Sequence, residues 1–212
     1  SGAHVQGSGK SLGDYMDRVM GHEAFHLVTN DYFGHNSMIE APVAWKEGFA
    51  EFTHGAKERY LSVFSGLSSS QKKIELVNLA KYLLDVNFSG TSEDYVASYL
   101  IAIACYRLAK RKNIWNNLFV NLKNKSDISI NFWLKFLPIA TTNDEVKALI
   151  IDEIENMTSV WTFLNNTSDK DTGSVLGAHF ENYYGTTLTA DSVFNNANAT
   201  SDSIGFKLQY IR

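Results

Sequence analysis

The chain has 212 residues, of which 44% are hydrophobic and 13% aromatic, enough apolar surface to bury one sizeable core. A formal net charge of −4 with 20% charged residues leaves no basic stripe, so nucleic acid and anionic lipid are excluded as main partners. No apolar run approaches the roughly 20 residues of a membrane span, and one cysteine, Cys105, excludes both an intrachain disulfide and a cysteine-rich metal cluster.

The opening "SGAHVQGSGK" has neither an apolar targeting core nor an Arg-rich amphipathic pattern, and residues 1–12 read as a flexible or truncated N-terminal segment. Residues 13–29 carry Tyr15, Met16, Val19, Met20 and Leu27 near a 3.6 period, with Asp14 at the dipole-favoured end, and predict a first helix with those positions as its apolar face. A loop, "NDYFGHNSMIEAP", is expected up to Pro42, followed by one helical run, "VAWKEGFAEFTHGAKERYLSVF". The stretch "SSQKKIELVNLAKYLLDV" predicts a third helix with Ile74, Val77, Leu79 or Ala80, Tyr82 and Leu84 available for the core. "SEDYVASYLIAIACYRLAKRK" predicts a fourth, with Ser92 as N-cap, a basic last turn, and an apolar middle in which Cys105 is a packed thiol. Shorter helices are expected at 113–123, at 129–137 before Pro138, and at 143–156. After Trp161 the composition turns to Asn, Ser, Thr and Gly, with "IGFKLQYI" as a closing strand. The resulting division is a helical domain over 13–165 and a segment over 166–212 that packs on it or extends it.

The chemistry begins at "GHEAFH", residues 21–26. Positions i and i+4 of a helix face the same way, so His22 and His26 can grip one metal ion while Glu23, a quarter-turn round, points across its front. Such a pentapeptide also occurs by chance on ordinary polar helices, and the downstream sequence has to decide. Glu47, in "WKEGFAEF", stands on the second helical run. If that helix returns antiparallel to the first, it delivers a third ligand. Two His and one Glu leave one position of a zinc tetrahedron open for water, as a catalytic site requires. Glu51, one turn after Glu47, can hydrogen-bond the distal nitrogen of a metal-bound histidine and fix its tautomer; the alternative is a solvated surface acid. His4, His35 and His179 have no partner at ligand spacing, and Trp45, Phe49 and Phe52 read as core and pocket wall.

"GHEAFH" followed by "WKEGFAEF" resembles the gluzincin metallopeptidases, whose hallmark is the two-histidine motif with a downstream glutamate as third zinc ligand. "EGFAEFTHGAKERY", "DYVASYLIAIACYRLAK" and "TSDKDTGSVLGA" are most similar to the flagellinolysins, peptidase domains inserted in the surface-exposed region of bacterial flagellins; the likeness covers roughly residues 13–180. It implies a mainly α fold, a zincin helical domain with short strands at the edges and C-terminus, and one zinc per chain held by His22, His26 and Glu47. It also implies an extracellular or cell-surface bacterial endopeptidase acting on protein or peptide substrate, flagellin among them, within a larger surface or flagellar protein. Zinc would bring the pKa of water toward about 7, and Glu23 would take the proton during attack on the scissile carbonyl. Gluzincins commonly place a tyrosine near the start of the helix after the ligand helix, which makes Tyr95 the oxyanion donor; Tyr99, one turn on, and His54, two turns after Glu47, are the alternatives. The competing functional readings are a weak or inactive zinc-binding surface module and an aminopeptidase of the same clan.

Overall fold

The computed structural model describes residues 16–85, 88–123 and 127–166, with the side chains of residues 16–18, 20, 36, 54 and 58 left aside. Among the described residues the chain is mainly helical. The helices are α1 (Met16–Phe33), α2 (His35–Glu40), α3 (Val43–His54), α4 (Lys57–Val63), α5 (Ser69–Asp85), α6 (Ser92–Arg111), α7 (Phe132–Phe136), α8 (Asn143–Asn156) and α9 (Thr158–Asn165). No strand occurs among these residues, so the expected edge strands are absent there; the expected strand at 204–211 lies outside them. No described helix is long and apolar enough to cross a membrane.

Local chemistry explains where the helices begin and end. Thr91 caps α6 in a capping box with Asp94, whose carboxylate accepts from the backbone N–H groups of Ser89, Gly90 and Thr91. The cap is therefore Thr91, one residue before the expected Ser92. The same device, Thr142 with Glu145, opens α8. Between α3 and α4 the expected single run is broken at Gly55, whose φ of 83° suits a residue without a Cβ and whose N–H closes α3 on the Glu51 carbonyl. The expected loop at 30–42 is largely helical, because extending α1 to Phe33 and adding α2 buries Phe33 and Met38 against the core. Conversely, 113–123 holds only a 3₁₀ turn at Trp115–Asn117, after the left-handed Asn113 ends α6, and left-handed Asn131 delays α7 to Phe132. The short α9 escapes periodicity reasoning, yet it buries Val160, Trp161 and Leu164, and its Asn165 accepts the Tyr60 hydroxyl at 2.6 Å.

α6 is the central helix. Its apolar middle, Val96 to Cys105, is buried, and it packs on α3, α5, α8 and α4. Burial pushes the Cys105 thiol up out of the reactive range, as a packed cysteine requires. α5 buries Leu76, Val77, Ala80, Leu83 and Leu84; Ile74 and Tyr82, expected in the core, are exposed because α5 meets α6 and α8 along one narrow stripe. Glu153 on α8 is nearly buried and accepts from both Arg107 and Arg111 of α6; burial opposes its charge, but the two guanidinium groups hold its carboxyl below the usual range. α3 and α6 approach closely at Gly48. There a Cβ would lie 2.2 Å from the Ser98 carbonyl oxygen, so glycine is needed for proximity rather than for backbone freedom.

Candidate metal centre

α1 turns an unexpected face inward. Of the apolar positions assigned to its core face, Val19 and Leu27 are exposed at 46% and 72%, and Tyr15 lies outside the described residues. The face that meets α3 instead carries His22, Phe25, His26, Thr29 and Phe33. Aromatic packing selects it: Phe25 lies against Trp45 and Phe49, and Phe33 against Trp45, with ring centroids 6.2–6.3 Å apart. Trp45 and Phe49 themselves pack on Phe119 and Phe136, so α1 is docked on a largely buried aromatic layer. The pairs Phe33–Trp45, Phe25–Phe49 and Gly21–Thr53 run in opposite chain directions, which makes α1 and α3 antiparallel.

That arrangement brings His22, His26 and Glu47 together. His22 Nε2 lies 2.9 Å from Glu47 Oε2 and 3.1 Å from His26 Nε2, and His26 Nε2 lies 3.5 Å from the same Glu47 oxygen. A tetrahedral zinc with bonds of 2.0–2.1 Å spaces its ligand atoms about 3.3 Å apart, so the three donor atoms already stand at ligand spacing. They form a group that could hold a metal ion. The chemistry of the set agrees. Imidazole nitrogen and carboxylate oxygen are both atoms that zinc accepts as ligands, and without an ion the two histidines stand as hydrogen-bond and charge partners of Glu47.

The far side of His22 is occupied too. Its Nδ1 donates to Glu51 Oε1 at 3.3 Å, which leaves Nε2 facing Glu47 and His26. Glu51 is only 1% exposed, so it is not the solvated surface acid that its sequence position also allowed. Burial disfavours the charged His22 ring, but its hydrogen bonds to Glu47 and Glu51 and the charges of both carboxylates outweigh this and hold it up at about 9. Glu47 is the counterpart: burial would raise it, and the two histidines hold it down at about 2.

The remaining candidates fall in different places. Glu23 is exposed beside this cluster, close enough for its charge to act on the Tyr95 hydroxyl. Tyr95, partly buried, has its ring centroid 6.0 Å from that of His22; burial, then the charge of Glu47, raises its hydroxyl. Tyr99 is 3% exposed and belongs to the core. His54 ends α3, and its side chain is not among those described. His35 is exposed, while His4 and His179 lie outside the described residues. Phe49 and Phe52 are buried, and so is Trp45, consistent with their reading as core.

Sequence reasoning passed over one residue here, Arg59. On a continuous helix it would stand eight residues, about 12 Å, beyond Glu51. The break at Gly55 folds α4 back, and Arg59 Nη2 donates to Glu51 Oε1 at 3.2 Å. A glycine inside an otherwise helical run of "FTHGAKERY" was the signal. Comparison of the chain with protein-family models, curated proteins and solved structures finds no match, so the functional reading rests on the residues and their geometry.

Proposed function

We propose that this protein is a zinc-dependent endopeptidase of the gluzincin type, similar to the flagellinolysins, which hydrolyses peptide bonds in extracellular proteins. The observation that carries the reading is the convergence of His22 Nε2, His26 Nε2 and Glu47 Oε2 within 2.9–3.5 Å of one another, with Glu51 behind His22. Three protein ligands of this kind suit a catalytic rather than a purely structural zinc, which is normally enclosed by four. When bound, the ion supplies Lewis acidity, making water nucleophilic near neutral pH and polarising the carbonyl it attacks.

The chain's own residues do the rest. His22 is oriented by Glu51, so that its Nε2 faces the site and offers its lone pair once an ion displaces the proton there. Glu23 is exposed at the front of α1, where its carboxylate can accept a proton from water and return it to the leaving amine. Tyr95 offers a hydroxyl whose raised pKa keeps it protonated at neutral pH, as an oxyanion donor must be. The presence of Glu23 favours the enzyme over an inactive zinc-binding module, since a structural site has no use for a general base.

The test is digestion of unstructured casein and of a peptide library by the purified protein, with and without chelator. Chelator-sensitive internal cleavage is expected. Trimming of single residues from free amino termini would assign an aminopeptidase instead, and zinc content without turnover would assign the inactive module.

A further inference from the structure

Arg59 touches three parts of the site at once. Its Nη2 donates to Glu51 Oε1 at 3.2 Å, the same oxygen that receives His22 Nδ1 at 3.3 Å. Its Nη1 donates to Ser92 Oγ at 3.4 Å, on the first residue of α6. Its guanidinium carbon stands 4.6 Å from the centroid of the Tyr95 ring, whose other contacts include the edge of Phe88 at 4.9 Å. Among the described residues the buried Nε has no hydrogen-bond partner, so the side chain is held by its two Nη atoms and by the aromatic face.

We infer that Arg59 is a positioning residue for the metal site: by gripping Glu51 it fixes the orientation of His22, and by lying on Tyr95 it fixes the tyrosine relative to the same metal ligands. The geometry leaves little choice of side chain. Glu51 is 1% exposed, so its carboxylate is oriented by groups of the interior, Arg59 and His22 among them. A planar fork satisfies two acceptors in different directions and stacks on a ring at the same time; an ammonium can do one or the other. α4 brings Arg59 to this point through the turn at Gly55, so the break in the helix is part of how the site is assembled.

The inference rests on the zinc reading, and the experiment separates the two. Zinc affinity by competition and the visible spectrum of the cobalt form are measured for wild type, Arg59→Met and Arg59→Lys in the whole chain, alongside melting temperature. The expected result for Arg59→Met is weakened zinc binding, by less than the roughly 10-fold or more that losing Glu51, the direct outer partner of His22, would cost, together with a shifted cobalt band. Arg59→Lys, which keeps the charge and stem but not the fork, should show a smaller shift in the same direction. Wild-type zinc affinity and an unshifted band in Arg59→Met overturn the role of Arg59 alone. If Arg59→Met does not fold, Arg59→Lys is decisive, and an unshifted band there overturns it. Absence of zinc and cobalt binding by wild type overturns the zinc reading, and the Arg59 inference with it.

Discussion

Gly48 and Ser98 are in backbone contact: a Cβ on Gly48 would lie 2.2 Å from the Ser98 carbonyl oxygen and 2.7 Å from its carbon. Gly48 follows Glu47 directly, and Ser98 lies three residues after Tyr95, so this contact sets the distance between α3, which carries Glu47, and α6, which carries the tyrosine. A carbonyl in the middle of α6 cannot yield as a side-chain tip could. Gly48→Ala is therefore expected to destabilise the fold by about 1–3 kcal/mol, the cost of overpacking, despite the better helix propensity of alanine. Chemical denaturation checks this, and a stability equal to wild type would mean that α3 and α6 can separate freely.

The protonation of the site makes metal binding pH-dependent. His22 is raised from its ordinary 6.5 to about 9, so its contribution to metal-free stability is complete below pH 6.5 and is lost as pH rises through about 9. Glu47 is depressed from 4.5 to about 2, so its contribution is complete above pH 4.5 and is lost as pH falls through about 2. Both are present in full between these limits. A metal ion must displace the His22 proton, and zinc binding at pH 7 should release about one proton from that ring. Calorimetry in buffers of different ionisation heat measures this release; a value near zero would contradict the assigned state of His22.

Glu23→Gln keeps the shape of the side chain and removes the base. Zinc content and melting temperature should be those of wild type, while turnover falls by at least about a hundredfold. Turnover at the wild-type level would mean that another residue takes the proton.

The candidate oxyanion donors differ in burial. Tyr95→Phe should lower kcat by about 10²–10³ with KM nearly unchanged, since one hydroxyl near His22 is lost and little volume. Tyr99 is 3% exposed, so Tyr99→Phe should act on stability and leave kcat close to wild type. His54→Ala should be milder than Tyr95→Phe. Steady-state kinetics ranks the three, and a larger loss of kcat in either of the others would remove Tyr95 from the role.

Much of the site is legible in the sequence because it depends on local spacing. His22 and His26 at i, i+4 and Glu47 and Glu51 at i, i+4 share helix faces whatever the surroundings, and capped segments such as 143–156 are found at their boundaries. What periodicity does not reveal is which face of α1 turns inward. Its aliphatic positions suggest one answer, whereas Phe25 and Phe33 packing on Trp45 impose another, and Val19 and Leu27 are left exposed. Arg59 is hidden for a related reason. Its contact with Glu51 exists only because Gly55 breaks the helix, an event set by one residue inside an otherwise continuous helical pattern.

The central claim is that His22, His26 and Glu47 hold one zinc ion, and metal analysis of the purified protein beside its His22→Ala and Glu47→Ala variants tests it most directly. About one zinc per chain is predicted for wild type, with the metal lost and the melting temperature lowered in each variant. Full zinc occupancy in either variant, or none in wild type under metal-replete conditions, would contradict it.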